Sequence, residues 1–262
     1  RAHNYLRISL TDKCNLRCHY CMPANPDFMQ SPKLMSPEEI GYISTLFVNE
    51  YGINKIRLTG GEPLARKDFP DILKKLSRLD TSLHITTNGI LLNQFWRRLK
   101  LAGITSVNIS LDTLKKNKFK QITRIDGFEK VIENIYQAIE NFFYIKLNVV
   151  AMKGVNDDEI LDFVKLTKHL PVHVRFIEFM PFAGNQWKHA SVIKHDEISS
   201  TIAIPVEDSG VRTPLRDELL GLWCPPNPRR LSRNGCLYRL CRCELRPPML
   251  TDVLKPDDLT PY

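Results

Sequence analysis

The chain has 262 residues, of which 43% are hydrophobic and 25% are charged, and its formal net charge is +8. This composition predicts one globular domain, or one domain with a tail, and excludes a wholly disordered chain or one with an apolar run long enough to span a membrane. The positive charge suits an anionic ligand such as a nucleotide, and the chain has no basic run with interleaved aromatic residues that would indicate nucleic acid.

Seven cysteines lie in two groups towards the ends of the chain. An odd number in this arrangement favours metal or cluster ligation in a reducing compartment over a framework of disulfides. The chain shows no signal peptide, and because residue 1 is Arg we expect its natural start to be missing or processed.

The first predicted strand, residues 5–10, leads into Cys14, Cys18 and Cys21 with the spacing C-x3-C-x2-C. A closed zinc site or a closed four-iron cluster takes four protein ligands, so three thiolates on a cubane would leave one iron open. An open iron is the arrangement needed to pass an electron to a bound sulfonium. Two less favoured alternatives stay open here, which are a zinc site completed by His19 and a set of buried core thiols.

The rest of the first 200 residues predicts alternating helices and strands. Ser36 is the predicted N-cap of a helix over 36–50, with Pro37 in its first turn. Further strands are predicted at 54–59, 84–87, 106–110, 145–151 and 172–178, and further helices at 68–79, from 89 to about 101, 115–122, 127–141 and 157–169.

This alternation predicts an α/β fold with a parallel sheet and right-handed crossovers. The first strand is not followed by G-x-G-x-x-G, so a Rossmann dinucleotide site is disfavoured. A partly closed barrel fits better, with its functional residues at the carboxyl ends of the strands. The residues expected there are Cys14, Gly61, Thr86, Ser110, Lys146 and Met180.

The composition changes near residue 205. More than half of the 17 prolines follow residue 204, and lysine nearly disappears there. We therefore divide the chain into a barrel domain, 1–204, and an irregular C-terminal extension rich in Pro, Arg and Cys, 205–262, which we expect to pack poorly.

Several motifs together resemble the radical SAM superfamily, and within it the MoaA family of GTP 3',8-cyclases. Besides the cysteine loop, the resemblance is carried by TGGEP at 59–63, TTNG at 86–89, NISLD at 108–112 and RFIEFMPF at 175–182. It covers about residues 3–200 and implies the incomplete (β/α)6 TIM-like barrel of radical SAM enzymes.

The resemblance implies a [4Fe-4S] cluster on Cys14, Cys18 and Cys21, with S-adenosylmethionine on the open iron. The residues it assigns to S-adenosylmethionine are Tyr20, Gly61, Ser110 and Met180. For three of them a plain structural role is the alternative: Tyr20 as a packing aromatic, Gly61 as a strand-end turn, and Met180 as core filler.

The resemblance also implies that GTP is bound by Arg7, Arg57, Thr86 and Lys146. Arg7 and Arg57 have the strand parity that points into a barrel, where an arginine without a ligand is costly. Lys146 has the alternative of a solvated lysine near a strand start. The implied reaction converts GTP to (8S)-3',8-cyclo-7,8-dihydroguanosine 5'-triphosphate in the first step of molybdenum-cofactor biosynthesis.

The implied partners are a reductant and the downstream synthase of cyclic pyranopterin monophosphate, without nucleic acid or a membrane, and a homodimer stays open. The implied location is a reducing compartment, which is the mitochondrial matrix in a eukaryote or the cytoplasm in a bacterium.

The C-terminus departs from the family pattern. The family carries a second cluster on C-x2-C-x13-C with an Arg-x-Arg motif, whereas here Cys224 is followed by Asn227 at the second cysteine position. Cys224 and Cys241 are candidate remnants of that cluster, and Arg229 and Arg230 echo the arginine motif. Two other functions stay open: a non-catalytic or partially active isoform that regulates a partner, and a radical SAM peptide- or sulfatase-maturing enzyme.

Overall fold

A computed structural model of the chain describes residues 3–23, 25–30, 33–141, 143–181 and 188–207. Six strands alternate with helices along the described part, which confirms the predicted α/β class. The strands are β1 (Tyr5–Ser9), β2 (Lys55–Thr59), β3 (Ser82–Thr87), β4 (Ser106–Ser110), β5 (Tyr144–Ala151) and β6 (Val172–Glu178). The helices are α1 (Pro37–Tyr51), α2 (Phe69–Leu76), α3 (Trp96–Leu101), α4 (Lys116–Thr123), α5 (Phe128–Glu140), α6 (Ile160–His169) and α7 (His195–Glu207).

The strands form one parallel sheet in the order β1-β2-β3-β4-β5-β6. The register aligns Arg7 with Arg57 and Arg57 with His84 on the first three strands. It also aligns Asn108 with Lys146 on β4 and β5. Each strand therefore pairs in parallel with its neighbours in the sequence, and at least one helix connects each pair, as is usual for parallel strands.

The sheet is curved into a partial barrel. Burial and the charge of Arg57 are the two largest causes that lower the pKa of Lys55 on β2. The charge of Arg175 on β6 is a third, smaller cause. Four strand spacings, about 19 Å, would separate β2 from β6 in a flat sheet. Curling of the sheet brings the side chains of its two halves towards each other, in agreement with this interaction.

The apolar core lies between the outer face of the sheet and the helices. Strand residues such as Ile56, Leu58 and Ile85 are completely buried there, in one cluster that also contains Phe69 of α2 and Phe163 of α6. The other alternate residues of each strand are left for the inner face of the barrel, where the polar side chains lie. No helix in the described part of the chain is long and apolar enough to cross a bilayer.

Helix α1 begins as its sequence predicts. The Ser36 side chain accepts from the backbone N–H of Glu39 at 3.2 Å, and the Glu39 carboxylate accepts from the backbone N–H of Ser36 at 2.7 Å. The helix ends at Gly52, whose φ of 65° is readily adopted only by a residue without a Cβ.

Some helix bounds differ from the prediction. Helix α2 ends at Leu76 instead of 79, because the N–H groups of Arg78 and Leu79 bond three residues back in a tight turn. A 3₁₀ turn, Leu92–Gln94, precedes α3, and another, Asp157–Glu159, precedes α6. Helix α7 was not predicted.

Candidate functional site

Three cysteines occupy the loop that follows β1. Cys14, Cys18 and Cys21 are free thiols, and all three line one cavity of about 230 Å³ at the carboxyl ends of the strands. A tight turn joins the last two, because the N–H of Cys21 donates to the carbonyl oxygen of Cys18 at 2.9 Å. The loop therefore presents three thiols to one shared space.

Backbone contacts with the end of α4 hold this cysteine loop. The N–H groups of Arg17 and His19 donate to the carbonyl oxygens of Thr123 and Ile122, both at 2.9 Å. Arg124 ends α4 with a φ of 60°, and its guanidinium donates to the carbonyl oxygen of Arg17 at 3.1 Å. The path of the loop is thus fixed by groups other than the cysteine side chains.

The end of β2 packs directly on the cysteine loop. The N–H of Gly61 donates to the carbonyl oxygen of Thr11 at 2.6 Å. A Cβ atom at Gly61 would lie 2.5 Å from the carbonyl oxygen of Asp12 and closer still to that of Lys13. Gly61 is therefore needed for the approach of the loop to β2. It also lines the cavity, and its contact with S-adenosylmethionine stays a prediction.

A buried carboxylate joins β2, β3 and the cysteine loop. Glu62 is fully buried and accepts from the N–H of Leu64 at 3.0 Å, the hydroxyl of Thr87 at 2.8 Å and the N–H of Asn88 at 2.7 Å. Burial outweighs these hydrogen bonds and raises the pKa of Glu62 to about 7. The Asn88 side chain in turn donates to Asn15 Oδ1 in the loop at 2.7 Å.

A second buried carboxylate fixes Tyr20. The Tyr20 hydroxyl donates to Asp112 Oδ2 at 2.6 Å, and the N–H of Val150 donates to Asp112 Oδ1 at 2.9 Å. Burial raises the pKa of Asp112 to about 6. The Tyr20 ring meets Phe179 edge to face, with the ring centroids 6.0 Å apart. Tyr20 thus lines the cavity in one defined orientation.

The cavity suits a cationic group held by thiolates. Burial raises the pKa of all three thiols, and the charge of Asp112 adds to the rise at Cys18 and Cys21. Thiolates here therefore need a positively charged partner. Within the described residues, no three His, Cys, Asp or Glu side chains are placed to hold a single metal ion. Three thiols that share one cavity are a donor set that an iron–sulfur cluster uses.

Arg7, Arg57 and Thr86 lie close together on the first three strands. Arg7 and Thr86 line the cavity, while Arg57 is buried beneath it. The guanidinium of Arg57 donates to the Tyr5 hydroxyl at 3.1 Å, to the carbonyl oxygen of Ile85 at 3.4 Å and to the Thr86 hydroxyl at 3.5 Å. The structure thus brings these three predicted residues together.

The remaining predicted residues divide between places. Ser110 lines the cavity at the end of β4. Met180 follows β6, is 51% exposed and is not among the residues that line the cavity. The expected place of Lys146 at a carboxyl end is wrong, because it is the third residue of β5, deeper in the barrel. Cys224, Cys241, Arg229 and Arg230 lie outside the described residues.

The inner face of the barrel is strongly cationic. We define it as the alternate strand residues that share the parity of Arg7, Thr86 and Ser110. Basic side chains on it include Arg7, Lys55, Arg57, His84, Lys146, His173 and Arg175. No strand residue of this face that the structure describes is an aspartate or a glutamate. Burial and the neighbouring positive charges lower the pKa of Lys55. Burial is also the main cause that lowers the pKa of Arg57; Tyr5 opposes it, and Arg175 and Arg7 add smaller decreases. The face is thus built to receive an anion.

Sequence reasoning missed several of these residues. Glu62, Asn88 and Asp112 lie in the motifs TGGEP, TTNG and NISLD. The contacts by which they support the cysteine loop join segments that are distant in the sequence, and no local pattern encodes these contacts. Lys55 and Arg175 could have been identified from the sequence. The alternation of strand residues that placed Arg57 on the inner face places them there too.

Comparisons with other proteins agree with this geometry. A model of the family "Radical SAM superfamily" matches residues 8–167. The chain is 50% identical over 222 residues to "Molybdenum cofactor biosynthesis protein 1" of Mus musculus, covering 80% of this chain and 35% of that protein. It is 50% identical over 206 residues to "GTP 3',8-cyclase, mitochondrial" of Arabidopsis thaliana, covering 77% and 53%. It is 48% identical over 194 residues to "GTP 3',8-cyclase" of Listeria welshimeri, covering 72% and 58%.

The chain thus spans about a third to three fifths of the length of these relatives. Among solved structures, SuiB of Streptococcus suis bound to S-adenosylmethionine superposes with a TM-score of 0.59 at 18% identity, over 80% of this chain and 49% of that one. The enzyme anSMEcpe with bound AdoMet gives 0.56 at 18% identity, over 78% and 59%. At this identity the two structures support the fold and no more.

Proposed function

The chain belongs to the radical SAM superfamily, and from this premise we propose that it is a GTP 3',8-cyclase acting in the first step of molybdenum-cofactor biosynthesis. One observation carries the proposal: three free thiols share a cavity with Arg7 and Thr86, directly above a cationic inner face. The names of the relatives from Arabidopsis and Listeria support the choice of substrate.

Cys14, Cys18 and Cys21 would hold three irons of a [4Fe-4S] cluster, leaving the fourth for S-adenosylmethionine. When bound, such a cluster supplies one electron to the sulfonium, which gives methionine and a 5'-deoxyadenosyl radical. The protein contributes the fixed path of the loop and a cavity walled by buried residues such as Leu16.

The residues proposed for S-adenosylmethionine are Tyr20, Gly61, Ser110 and Met180. Tyr20 offers a ring held by its hydrogen bond to Asp112, Gly61 offers backbone without a side chain, and Ser110 offers a hydroxyl in the cavity. Met180 lies beyond the end of β6, where it would close over the cofactor.

The residues proposed for GTP are Arg7, Arg57, Thr86 and Lys146. The two guanidinium groups suit phosphate oxygens because their donors form a rigid fork, and Lys146 adds a point charge from the opposite side of the barrel. The Arg57 donors already point towards the Thr86 hydroxyl, so both side chains would face the same part of the nucleotide. The cofactor radical would take the C3' hydrogen atom of GTP, and C3' would then bond to C8 of guanine. The ring-closed radical would take up one electron from the external reductant and one proton from solvent.

The wider proposals concern the C-terminus, the partners and the location. Cys224 and Cys241 stay candidate remnants of a second cluster, and Arg229 and Arg230 stay candidates to lie near the guanine; we expect the extension to pack poorly and not to hold that cluster. The product would pass to a synthase of cyclic pyranopterin monophosphate, and an external reductant would supply the electron. A mitochondrial location is supported by the name of the Arabidopsis relative.

The test uses the full chain reconstituted anaerobically with iron and sulfide. We measure bound iron, 5'-deoxyadenosine and the cyclised nucleotide formed from GTP. Cys18→Ser should lose the iron of the first cluster, about four per chain, together with both products. Lys146→Ala should keep iron and cofactor cleavage but weaken nucleotide binding. Lys153→Ala, which removes an exposed lysine paired with Glu197, is the control and should resemble the wild type.

Two results would contradict the proposal. Cleavage of S-adenosylmethionine by the wild type without any product from GTP would favour a non-catalytic isoform or another substrate. Equal loss of iron, cleavage and nucleotide binding in Lys146→Ala would remove the assigned role of that residue.

A further inference from the structure

His84 is the one inner-face residue of β3 between Ser82 and Thr86. Its register partner on β2 is Arg57. The ring nitrogen Nδ1 is buried, and it has no hydrogen-bond partner among the residues that the structure describes. A buried polar atom without a partner costs free energy. The position of this imidazole therefore lowers the stability of the unliganded barrel.

Among the described residues, the charges that act on His84 from other strands of the sheet are all positive. Lys55 and Arg57 face it from β2, and Lys146 faces it from β5. From β4 the inner face presents Ser106 and Asn108, which do not titrate near neutral pH. Burial and these three charges lower the pKa of His84 to about 4, so its ring is neutral at pH 7.

A polyphosphate in this part of the barrel would reverse the sign of the field at His84. A nearby anion favours the protonated imidazole, and protonation supplies a second N–H donor for a phosphate oxygen. We propose that His84 is a further ligand of the polyphosphate, and that it is neutral in the free protein and takes up one proton as the anion binds. The proposed function supplies the identity of the natural anion, a nucleoside triphosphate.

The second histidine of the inner face provides an internal comparison. His173 lies on β6, where its Nε2 is 2.6 Å from the Tyr144 hydroxyl and its ring is stacked on the Tyr144 ring at 4.8 Å between centroids. Burial, Lys146 and Arg175 lower its pKa as well. Since His173 already has a hydrogen-bond partner, we expect the linked proton to go to His84.

The experiment is calorimetric titration of the cluster-loaded full chain with inorganic tripolyphosphate at pH 6.5. Parallel titrations in buffers of different ionisation enthalpy give the number of protons taken up on binding. Subtracting the value for a His84 variant cancels the protons of tripolyphosphate itself. His84→Gln and His84→Asn both keep a neutral polar side chain, and agreement between them guards against a folding defect in either one. His173→Gln is the matched control.

We expect the wild type and His173→Gln to take up about one proton more than either His84 variant. At pH values between the free and bound pKa values of His84, a rise of one pH unit should lower the wild-type affinity about tenfold more than it lowers the affinity of the variants. Equal proton numbers in the wild type and the His84 variants would overturn the inference, and so would loss of the proton in His173→Gln alone or no binding of tripolyphosphate. Tripolyphosphate binding with the expected proton, but no product from GTP, would leave this inference standing and would contradict the proposed function.

Discussion

At the scale of single residues, the site depends on a few side chains that hold distant backbone segments. Glu62 joins the ends of β2 and β3, and Asp112 joins Tyr20 to β5. Gly61 has the opposite task, because the cysteine loop occupies the place of its missing side chain. The thiols are therefore positioned by residues that would not touch the cluster.

Tyr20→Phe should lower stability by about 1–3 kcal/mol, because it leaves a buried oxygen of Asp112 without its donor. The ring itself is kept, so binding of S-adenosylmethionine should change little. Chemical denaturation of the cluster-loaded protein under anaerobic conditions measures the first effect. Tyr42→Phe, at a side chain that is 71% exposed, should stay within about 0.5 kcal/mol of the wild type. Equal stability of Tyr20→Phe and Tyr42→Phe would show that the hydrogen bond to Asp112 is dispensable.

Gly61→Ala should destabilise the protein by about 1–3 kcal/mol, because the new methyl group meets backbone that cannot move independently of the cysteine loop. Iron retention should fall with it. The matched control is Gly41→Ala within α1, where a Cβ makes ordinary contact with the Lys75 side chain. That change should stabilise the helix by about 0.5–1 kcal/mol. Melting temperatures and iron content decide the matter, and a Gly61→Ala protein with unchanged iron would refute the steric argument.

What could be predicted at this scale follows from periodicity. Strand parity selects Arg7 and Arg57, and both lie on the inner face. The hydrogen bond between Tyr20 and Asp112 joins residues 92 positions apart. It depends on how the strands are arranged in the sheet, which no local sequence pattern encodes. For the same reason, the sequence could not show that a Cβ atom at Gly61 would clash with the backbone of Asp12.

At the scale of elements, the sequence predicts strands better than helix ends. Strands β4 and β6 have the predicted bounds, because apolar outer-face residues alternate with polar inner-face residues through most of each strand. The end of a helix depends on which carbonyl oxygen accepts the hydrogen bond from each backbone N–H. The tight turn at Arg78 and Leu79 shortens α2, and the 3₁₀ turn before α3 forms although the sequence there favours a helix.

Ser36→Ala should cost about 0.5–2 kcal/mol, because it removes the side-chain half of the cap on α1. Ser77→Ala is the control, since the exposed Ser77 hydroxyl only donates to the carbonyl oxygen of Lys74. Urea denaturation of both variants provides the comparison. A larger loss in Ser77→Ala would mean that the cap contributes little to this helix.

At the scale of the whole molecule, the barrel places like charges together. The outer face of the sheet is apolar and buried, while the described inner face carries cations without a carboxylate among its strand residues. Repulsion and desolvation there oppose folding in the absence of an anion. These charges thus lower the stability of the free protein, and a bound polyanion would offset their repulsion.

Lys55→Gln should raise the stability of the nucleotide-free protein by less than about 1 kcal/mol, because it removes one positive charge near Arg57 and Arg175 that solvent largely screens. The same change should weaken the binding of GTP. Lys74→Gln, on the exposed side of α2, should alter neither quantity. Melting temperatures with and without nucleotide measure both effects. A Lys55→Gln protein less stable than the wild type without ligand would contradict the repulsion argument.

Because the strands neighbour one another in chain order, the cysteine loop leaves the ribosome long before its cavity can form. About 100 residues separate Cys21 from Thr123, the last residue that lines the cavity, so at roughly 5–20 residues per second some 5–20 s pass between their synthesis. Glu62 can hold the loop only after Asn88 is made, and Asp112 is itself held only after Val150 is made, so the three thiols are open to oxidants until then. Slower translation lengthens this exposure.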